Sequence, residues 1–299
     1  MAARLGLGTV QFGMHYGISN DRGQPAEAEI ADILANAESL GVGYLDTAFA
    51  YPNSETLIGR HLPQGSSLKI VTKTAPIHAD RIEPSAKTKV LDDLALSMDR
   101  LRTGRLHGLL LHHATDLDRP GWNILVEALE EAQARGWVEL IGASVYNEKE
   151  LQLVESRFSP GMVQAPFNVL DTRLVASPCF ARLKSKGVEI HARSVFLQGL
   201  LLMQPSVLPA YFEPLKPALN ALRMSWAEDG LDPLAACLGY VLSHPAIDVA
   251  IVGVNRLSEL QEICQAASGA ANRANAPAGF PKAVEEKYLD PSLWPSFTH

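Results

Sequence analysis

Short apolar runs alternate with longer segments whose apolar residues recur every three or four positions, and the alternation continues along most of the chain. The runs read as strands at Arg4–Thr9, Tyr44–Thr47, Leu68–Lys73, Leu106–His112, Glu139–Ser144, Met162–Ala165, Val188–Ser194 and Asp248–Val252. The longer segments read as helices. The first, about 26–40, places Ile30, Ile33, Leu34 and Ala37 at helical spacing and ends at Gly41 and Gly43. Others cover about 53–62, 85–101, 121–135, 176–186, 233–243 and 256–267, and one starts at Asn147, with Glu150 three residues on as a capping box. A proline-rich excursion spans 198–217. Eight strand–helix pairs, with several strands almost continuously apolar, predict an α/β fold of the parallel (β/α)8 barrel type. The expected organisation is one domain over 1–299, with a barrel core of about 4–268 and a tail, 269–299, folded as a loop over one face. Gly6 and Gly8 supply two glycines of a dinucleotide fingerprint, but no helix follows promptly, which weakens an open doubly wound alternative.

Three of the strands break the apolar pattern at their C-terminal ends. One ends at Asp46 and is followed by a loop carrying Tyr51, one ends at Lys73, and one ends at His112-His113. A buried carboxylate or ammonium is costly unless paired. Barrel active sites form at the C-terminal strand ends. Asp46, Tyr51, Lys73 and His112 are therefore expected to meet there. A free tyrosine is a poor acid at neutral pH, but a nearby ammonium lowers its pKa and a carboxylate keeps that ammonium charged and oriented. With a histidine to orient the oxygen, such a set can protonate a carbonyl as negative charge builds on it. The hydride must come from elsewhere, which implies a nicotinamide cofactor.

Composition narrows the classes. The 299 residues are 47% hydrophobic and 20% charged, enough for a sizeable core. The net charge of −7 argues against a nucleic-acid partner. Cys179, Cys237 and Cys264 are far apart and read as small buried hydrophobes. No signal-peptide pattern opens the chain and no run approaches the ~20 apolar residues of a membrane span, so a cytoplasmic location is expected. His61, His107 and His244 read as surface residues. His112 and His113, as neighbours on a strand, are expected to face opposite ways, which speaks against a metal site built from both.

The ordered motifs carry a family resemblance. Asp46-x-Ala48-x-x-Tyr51 followed by Ser54-Glu55-x-x-Ile58-Gly59, then Val71-Thr72-Lys73, then Leu109-Leu110-Leu111-His112, resemble the aldo-keto reductase superfamily over about 6–267. The resemblance implies Tyr51 as general acid, Lys73 and Asp46 as its tuning pair and His112 as the residue orienting the carbonyl. It implies cofactor contacts from Thr9, from Ser144 and Gln164 at the carboxamide, and from Arg193, Ser194, Phe196 and Gln198 after the seventh strand. Gly253, Asn255, Arg256 and Glu259 would lie at the phosphate and adenosine end. Four positions depart from the pattern: Val145 stands where an asparagine is common, Arg193 where an aromatic ring often lies under the nicotinamide, Glu259 where a basic or amide residue often meets the 2′-phosphate, and Ile263 where the motif's final asparagine stands. Arg256 is then the candidate phosphate ligand, and NADPH the expected cofactor, with NADH possible. The implied activity is reduction of an aldehyde or ketone to an alcohol. The alternatives are a regulatory subunit that binds cofactor with vestigial chemistry, and a metal-dependent barrel lyase or hydrolase. The Tyr16 loop, Phe49, 76–83, 198–212 and the tail with Phe280 and Trp294 are the expected walls of the substrate pocket. Substrate identity and oligomeric state are not legible in the sequence.

Overall fold

In the computed structural model, which describes residues 4–270, 284–295 and 297, eight parallel strands close into a barrel in sequential order. They are β1 Arg4–Gly8, β2 Val42–Asp46, β3 Lys69–Lys73, β4 Leu106–Leu111, β5 Val138–Ser144, β6 Met162–Pro166, β7 Glu189–Arg193 and β8 Val249–Gly253. The (β/α)8 expectation holds, and the reason is burial on both faces: every residue of β4 is buried, as a strand between a barrel interior and a helical shell requires. The helices cover the outside with one apolar stripe each. Glu27–Ala37 buries Ile30, Ile33, Leu34 and Ala37, and Ser85–Leu101 buries Val90, Leu91, Leu94, Ser97 and Leu101. Asn147 caps Glu148–Arg157 by accepting the Glu150 amide at 3.0 Å, while the Glu150 carboxylate accepts the Tyr146 amide at 2.7 Å.

The barrel interior changes character along its axis. Its middle is apolar, with Val71, Leu110 and Met162 in one cluster and Tyr44, Val249 and Ile251 in another. Gly142 is obligatory here, because a Cβ on it would lie 1.8 Å from the Met162 carbonyl oxygen. Below this layer, at the N-terminal strand ends, a polar cluster is buried. Glu189 accepts from His191 at 2.6 Å and His107 at 3.1 Å, and the other His107 ring nitrogen faces Glu139 at 2.9 Å. Both imidazoles pack edge-on against Tyr44. His107, expected at the surface, is therefore interior; carboxylates from β5 and β7 make its burial tolerable. Burial alone would raise the Glu189 pKa, but the two histidine hydrogen bonds outweigh it and hold the carboxyl well below the usual range.

The excursion after β7 is more ordered than its prolines suggest. It contains the 3-10 turns Pro205–Val207 and Ala210–Leu215, then the helix Lys216–Glu228, which starts with Pro217 in its first turn and buries Leu219, Leu222 and Trp226. The helix expected over 176–186 starts only at Cys179, after Pro178, and ends at Ser185; a separate short helix, Arg173–Ala176, precedes it. Residues 284–297, as far as they are described, dock on the excursion through aromatic rings: Phe212 meets Trp294 at 4.8 Å and Phe297 at 5.5 Å, and Tyr211 meets Tyr288 at 5.4 Å. Phe280 lies outside the described residues. Among those residues no helix is long and apolar enough to cross a membrane.

Candidate active site

The stagger of neighbouring strands sets the site. Asp46 is level with Val71 across β2 and β3, so Lys73, on the same face two residues further up, reaches back to the carboxylate. Its ammonium donates to both Asp46 oxygens at 2.8 Å and to the Thr47 carbonyl at 2.9 Å. All three ammonium hydrogens thus have acceptors, although Lys73 is only 2% exposed and Asp46 5%. Burial pulls the Lys73 pKa down, and the Asp46 carboxylate pulls it back up. Gln164 of β6 donates to Asp46 at 2.7 Å, which couples the expected carboxamide-binding position to the ion pair.

Behind the pair lies a buried hydroxyl network. Thr9 donates to the Asp46 carbonyl at 2.9 Å, and Ser54 donates to the Thr9 carbonyl and hydroxyl at 3.0 and 2.9 Å. Glu55, 2% exposed, accepts from Thr72 at 2.8 Å and Arg100 at 3.4 Å. The Ser54-Glu55 motif therefore positions the strands that carry Asp46 and Lys73.

Tyr51 rises from the loop after β2, with its ring centroid 5.5 Å from the Lys73 ammonium and 6.0 Å from the His112 ring, the two rings edge to face. Contrary to the expected lowering, its pKa is raised. Burial is the main cause and the Asp46 carboxylate adds to it, while Arg193 pulls the other way. The ammonium that was to lower it is already paired with Asp46 and exerts little net field. His112 is held neutral, its pKa pushed down to about 3 by burial and then by the charges of Lys73 and His113. His113 does not point away. The two imidazoles stack at 4.9 Å, 7° from parallel, because β4 ends at Leu111 and strand alternation no longer applies beyond it. Among the described residues no cluster of three or more His, Cys, Asp or Glu could hold a metal ion.

These residues line one end of a cleft of about 620 Å³ that runs across the barrel mouth to the end of β8. Thr9, Ser144, Gln164, Arg193, Ser194, Phe196, Gln198, Gly253, Asn255 and Glu259 line it as expected. Arg256 does not. It pairs with Glu259 at 3.1 Å, and Glu259 also accepts the Asn255 amide at 2.7 Å. Glu29 accepts the Leu257 amide at 2.6 Å. The helix start expected to receive phosphate thus already has two protein carboxylates on its amides. The loop after β7 is strained: Ser194, Leu197 and Gln198 all have positive φ, at 58°, 48° and 55°. Such conformations persist where the surroundings over-determine them, often at ligand sites.

Several cleft residues were not among those expected. Gln11, just past β1, lies so close to β8 that a Cβ on Gly253 would be 2.2 Å from its amide nitrogen. Tyr146 carries the Arg193 guanidinium 4.0 Å above its ring. Arg223, on the helix 216–228, reaches the far wall. Tyr16 lines the cleft as expected, its hydroxyl accepting from Gln198 at 3.3 Å and its pKa pushed up to about 12 by burial. Phe49, Met203, Tyr211, Phe212 and Trp294 do not line this cleft; Phe49 packs against the Arg100 guanidinium instead. Two buried polar atoms in the cleft, Gln11 Oε1 and His112 Nδ1, have no protein partner among the described residues. A cleft with one unpaired polar atom at its catalytic end, His112 Nδ1, and another beside β8, Gln11 Oε1, suits a polar, extended ligand such as a nicotinamide dinucleotide.

Comparisons with known proteins agree with this architecture. The aldo/keto reductase family model matches residues 4–271. The chain is 25% identical over 254 residues to the Bacillus subtilis protein described as uncharacterized oxidoreductase YqkF, spanning 79% of this chain and 81% of that protein. It is 25% identical over 288 residues to the 6-dehydroglucose reductase of Agrobacterium fabrum, spanning 89% and 91%. The holo form of aldo-keto reductase AKR11C1 from Bacillus halodurans has the same fold, with a TM-score of 0.72, 22% identity, and 97% and 96% of the two chains covered. The chain belongs to the aldo/keto reductase family and is an oxidoreductase.

Proposed function

We propose that the chain reduces an aldehyde or ketone to an alcohol with a nicotinamide dinucleotide. The observation that carries this reading is the buried Lys73–Asp46 pair beneath Tyr51, with neutral His112 beside it, at one end of a cleft long enough for an extended ligand.

In this reading Tyr51 is the general acid. Its raised pKa keeps the phenol protonated at neutral pH, so the proton is in place to move to the carbonyl oxygen. The Lys73–Asp46 pair lies beneath the ring, its ammonium 5.5 Å from the ring centroid and fully hydrogen-bonded. His112, neutral above about pH 3, donates an N–H to the carbonyl oxygen without competing as an acid. Ser144 and Gln164 hold the cofactor's carboxamide, and hydride is the chemistry that the cofactor supplies when bound. At the other end, Arg223 rather than Arg256 is the cation that a cofactor phosphate meets, so the expectation of NADPH moves to Arg223. Titration of the protein's tryptophan fluorescence with NADPH and with NADH tests the cofactor. Turnover of a carbonyl panel, compared with Tyr51→Phe, tests the chemistry.

A further inference from the structure

Gln11 is buried, at 8% exposed, yet its side-chain oxygen has no hydrogen-bond partner among the described residues. It stands on the single turn Val10–Gly13 that leaves β1, and it lines the cleft. An amide oxygen taken out of water without a donor is costly, and such a group is normally paired. Its position is fixed on every side. Phe12, beside it, is fully buried and donates its amide to the Thr9 carbonyl at 3.0 Å. The Gln24 side chain donates to the Phe12 carbonyl at 2.6 Å. Gly13 lies so close to Pro52 that a Cβ on it would be 2.1 Å from the Pro52 carbonyl oxygen. Across the sheet Gly8 is level with Gly253, so the turn after β1 falls against the end of β8. There the Gln11 amide takes the space of a missing side chain: a Cβ on Gly253 would lie 2.2 Å from Nε2 and 2.6 Å from Oε1. Gly253 has no positive φ, so glycine stands there for room and not for backbone freedom.

The surroundings say what kind of group the oxygen lacks. Flanking donors are engaged elsewhere. Asn20 gives its side-chain N–H groups to the Tyr16 and Gly23 carbonyls and to the Asn255 side-chain oxygen, and the Asn255 backbone amide goes to Glu259. Arg256 is held by Glu259. The same end of the cleft carries the carboxylates of Glu259 and Glu262. A phosphate, which offers only acceptors, gains nothing from Gln11 Oε1 and is repelled by these two acids. A hydroxyl brings the hydrogen that the oxygen lacks. Gln11 also lies only two residues beyond Thr9, whose hydroxyl bonds the Asp46 carbonyl, so the amide sits between the catalytic end and the end of β8. The hydroxyls of a dinucleotide that spans this cleft are those of its riboses.

We infer that Gln11 is a cofactor-binding residue whose side-chain oxygen accepts a hydrogen bond from a ribose hydroxyl of the nicotinamide dinucleotide. This rests on the reductase reading above.

The test is binding to the full chain, read by tryptophan fluorescence, in wild type and in Gln11→Met, which keeps the length of the side chain and lacks the oxygen. Dissociation constants are measured for NADPH and NADH, then for analogues of the tighter one that each lack a single ribose hydroxyl. The melting temperature of each free protein is recorded as well. Gln11→Met should weaken the intact dinucleotide about 3- to 10-fold, the range of a neutral hydrogen bond. One analogue should bind wild type and variant alike, because its missing hydroxyl and the missing oxygen are the two halves of one bond. The free variant should melt no lower than wild type, since the oxygen it loses was unpaired. Equal affinity of wild type and variant for the intact dinucleotide overturns the inference. A loss of the same size for every analogue also overturns it and places the partner of Gln11 elsewhere on the cofactor. A free variant that melts lower but binds the dinucleotide as wild type does makes Gln11 a structural residue and overturns it too. In these three cases wild type still binds the cofactor and the reductase reading stands. If wild type binds neither dinucleotide, both fall.

Discussion

Replacing Asp46 by asparagine strands a buried ammonium. In the native protein Lys73 satisfies its three hydrogens with the two Asp46 oxygens and the Thr47 carbonyl, at 2.8–2.9 Å, in a site where the lysine is 2% exposed. The amide introduced by Asp46→Asn has one acceptor oxygen where the carboxylate had two, and its NH2 faces the Lys73 ammonium in either orientation, and the Gln164 amide as well when it takes the Oδ1 place. Removing one partner of a buried ion pair costs about 3–5 kcal/mol. Unfolding entropy near 2.1 cal/mol/K per residue gives about 0.6 kcal/mol/K for a chain of this length, so the melting temperature falls by about 5–8 °C. The loss depends on pH. Without the carboxylate, burial depresses the folded-state pKa of Lys73 below its unfolded value, so the unfolded chain binds the extra proton and stability recovers as pH rises through that depressed value. The double variant Asp46→Asn/Lys73→Met has no stranded charge, and thermal melts should show it less destabilised than the two single changes summed, by about 1.5–3 kcal/mol. Additive single effects, or a shift of Asp46→Asn under about 1 °C, refute the buried pair as described.

The remaining expectations follow from the same geometry. Glu189→Gln replaces the carboxylate shared by His107 and His191 with a neutral amide that has one acceptor oxygen, and should lower stability by about 1–3 kcal/mol. Because the Glu189 pKa is depressed, its contribution is present above the unfolded value of about 4.3 and is lost as pH falls through the folded one. The gap between wild-type and variant urea midpoints should therefore narrow in acid, and a gap independent of pH contradicts the assignment. His112 is already neutral above about pH 3, so its ionisation should leave no inflection in kcat/KM between about pH 5 and 8; an inflection that His112→Gln removes says otherwise. Arg223→Gln should weaken NADPH binding about tenfold, while Arg256→Ala, outside the cleft, should change it by less than about threefold; fluorescence titrations showing the reverse order return the phosphate to Arg256.

The strands were legible because a parallel barrel buries both faces of each one and writes that burial as unbroken apolar runs. Asp46, Lys73 and His112 were legible for the complementary reason, since polar residues ending such runs have no packing role. What the sequence concealed was decided by partners far away along the chain. His107 gives no sign of burial until Glu139 and Glu189, 32 and 82 residues on, supply acceptors. The helix carrying Arg223 was masked by Pro205, Pro209, Pro214 and Pro217, which read as interruptions although the last serves as a helix start. Arg256 looked like a phosphate ligand by its place in the motif, and only folding shows Glu259 holding it. The Tyr51 pKa was misread because its nearest cation was counted without the carboxylate that neutralises it.

The central claim is that this cleft performs hydride-dependent carbonyl reduction with Tyr51 as its acid. The most direct measurement follows the loss of NADPH absorbance, and separately that of NADH, with a panel of aldehydes and ketones, in wild type and Tyr51→Phe of equal melting temperature and cofactor affinity. Wild-type turnover falling by about 10²–10⁴-fold in Tyr51→Phe is the predicted result. Cofactor binding without turnover of any carbonyl, or turnover that Tyr51→Phe leaves intact, contradicts it.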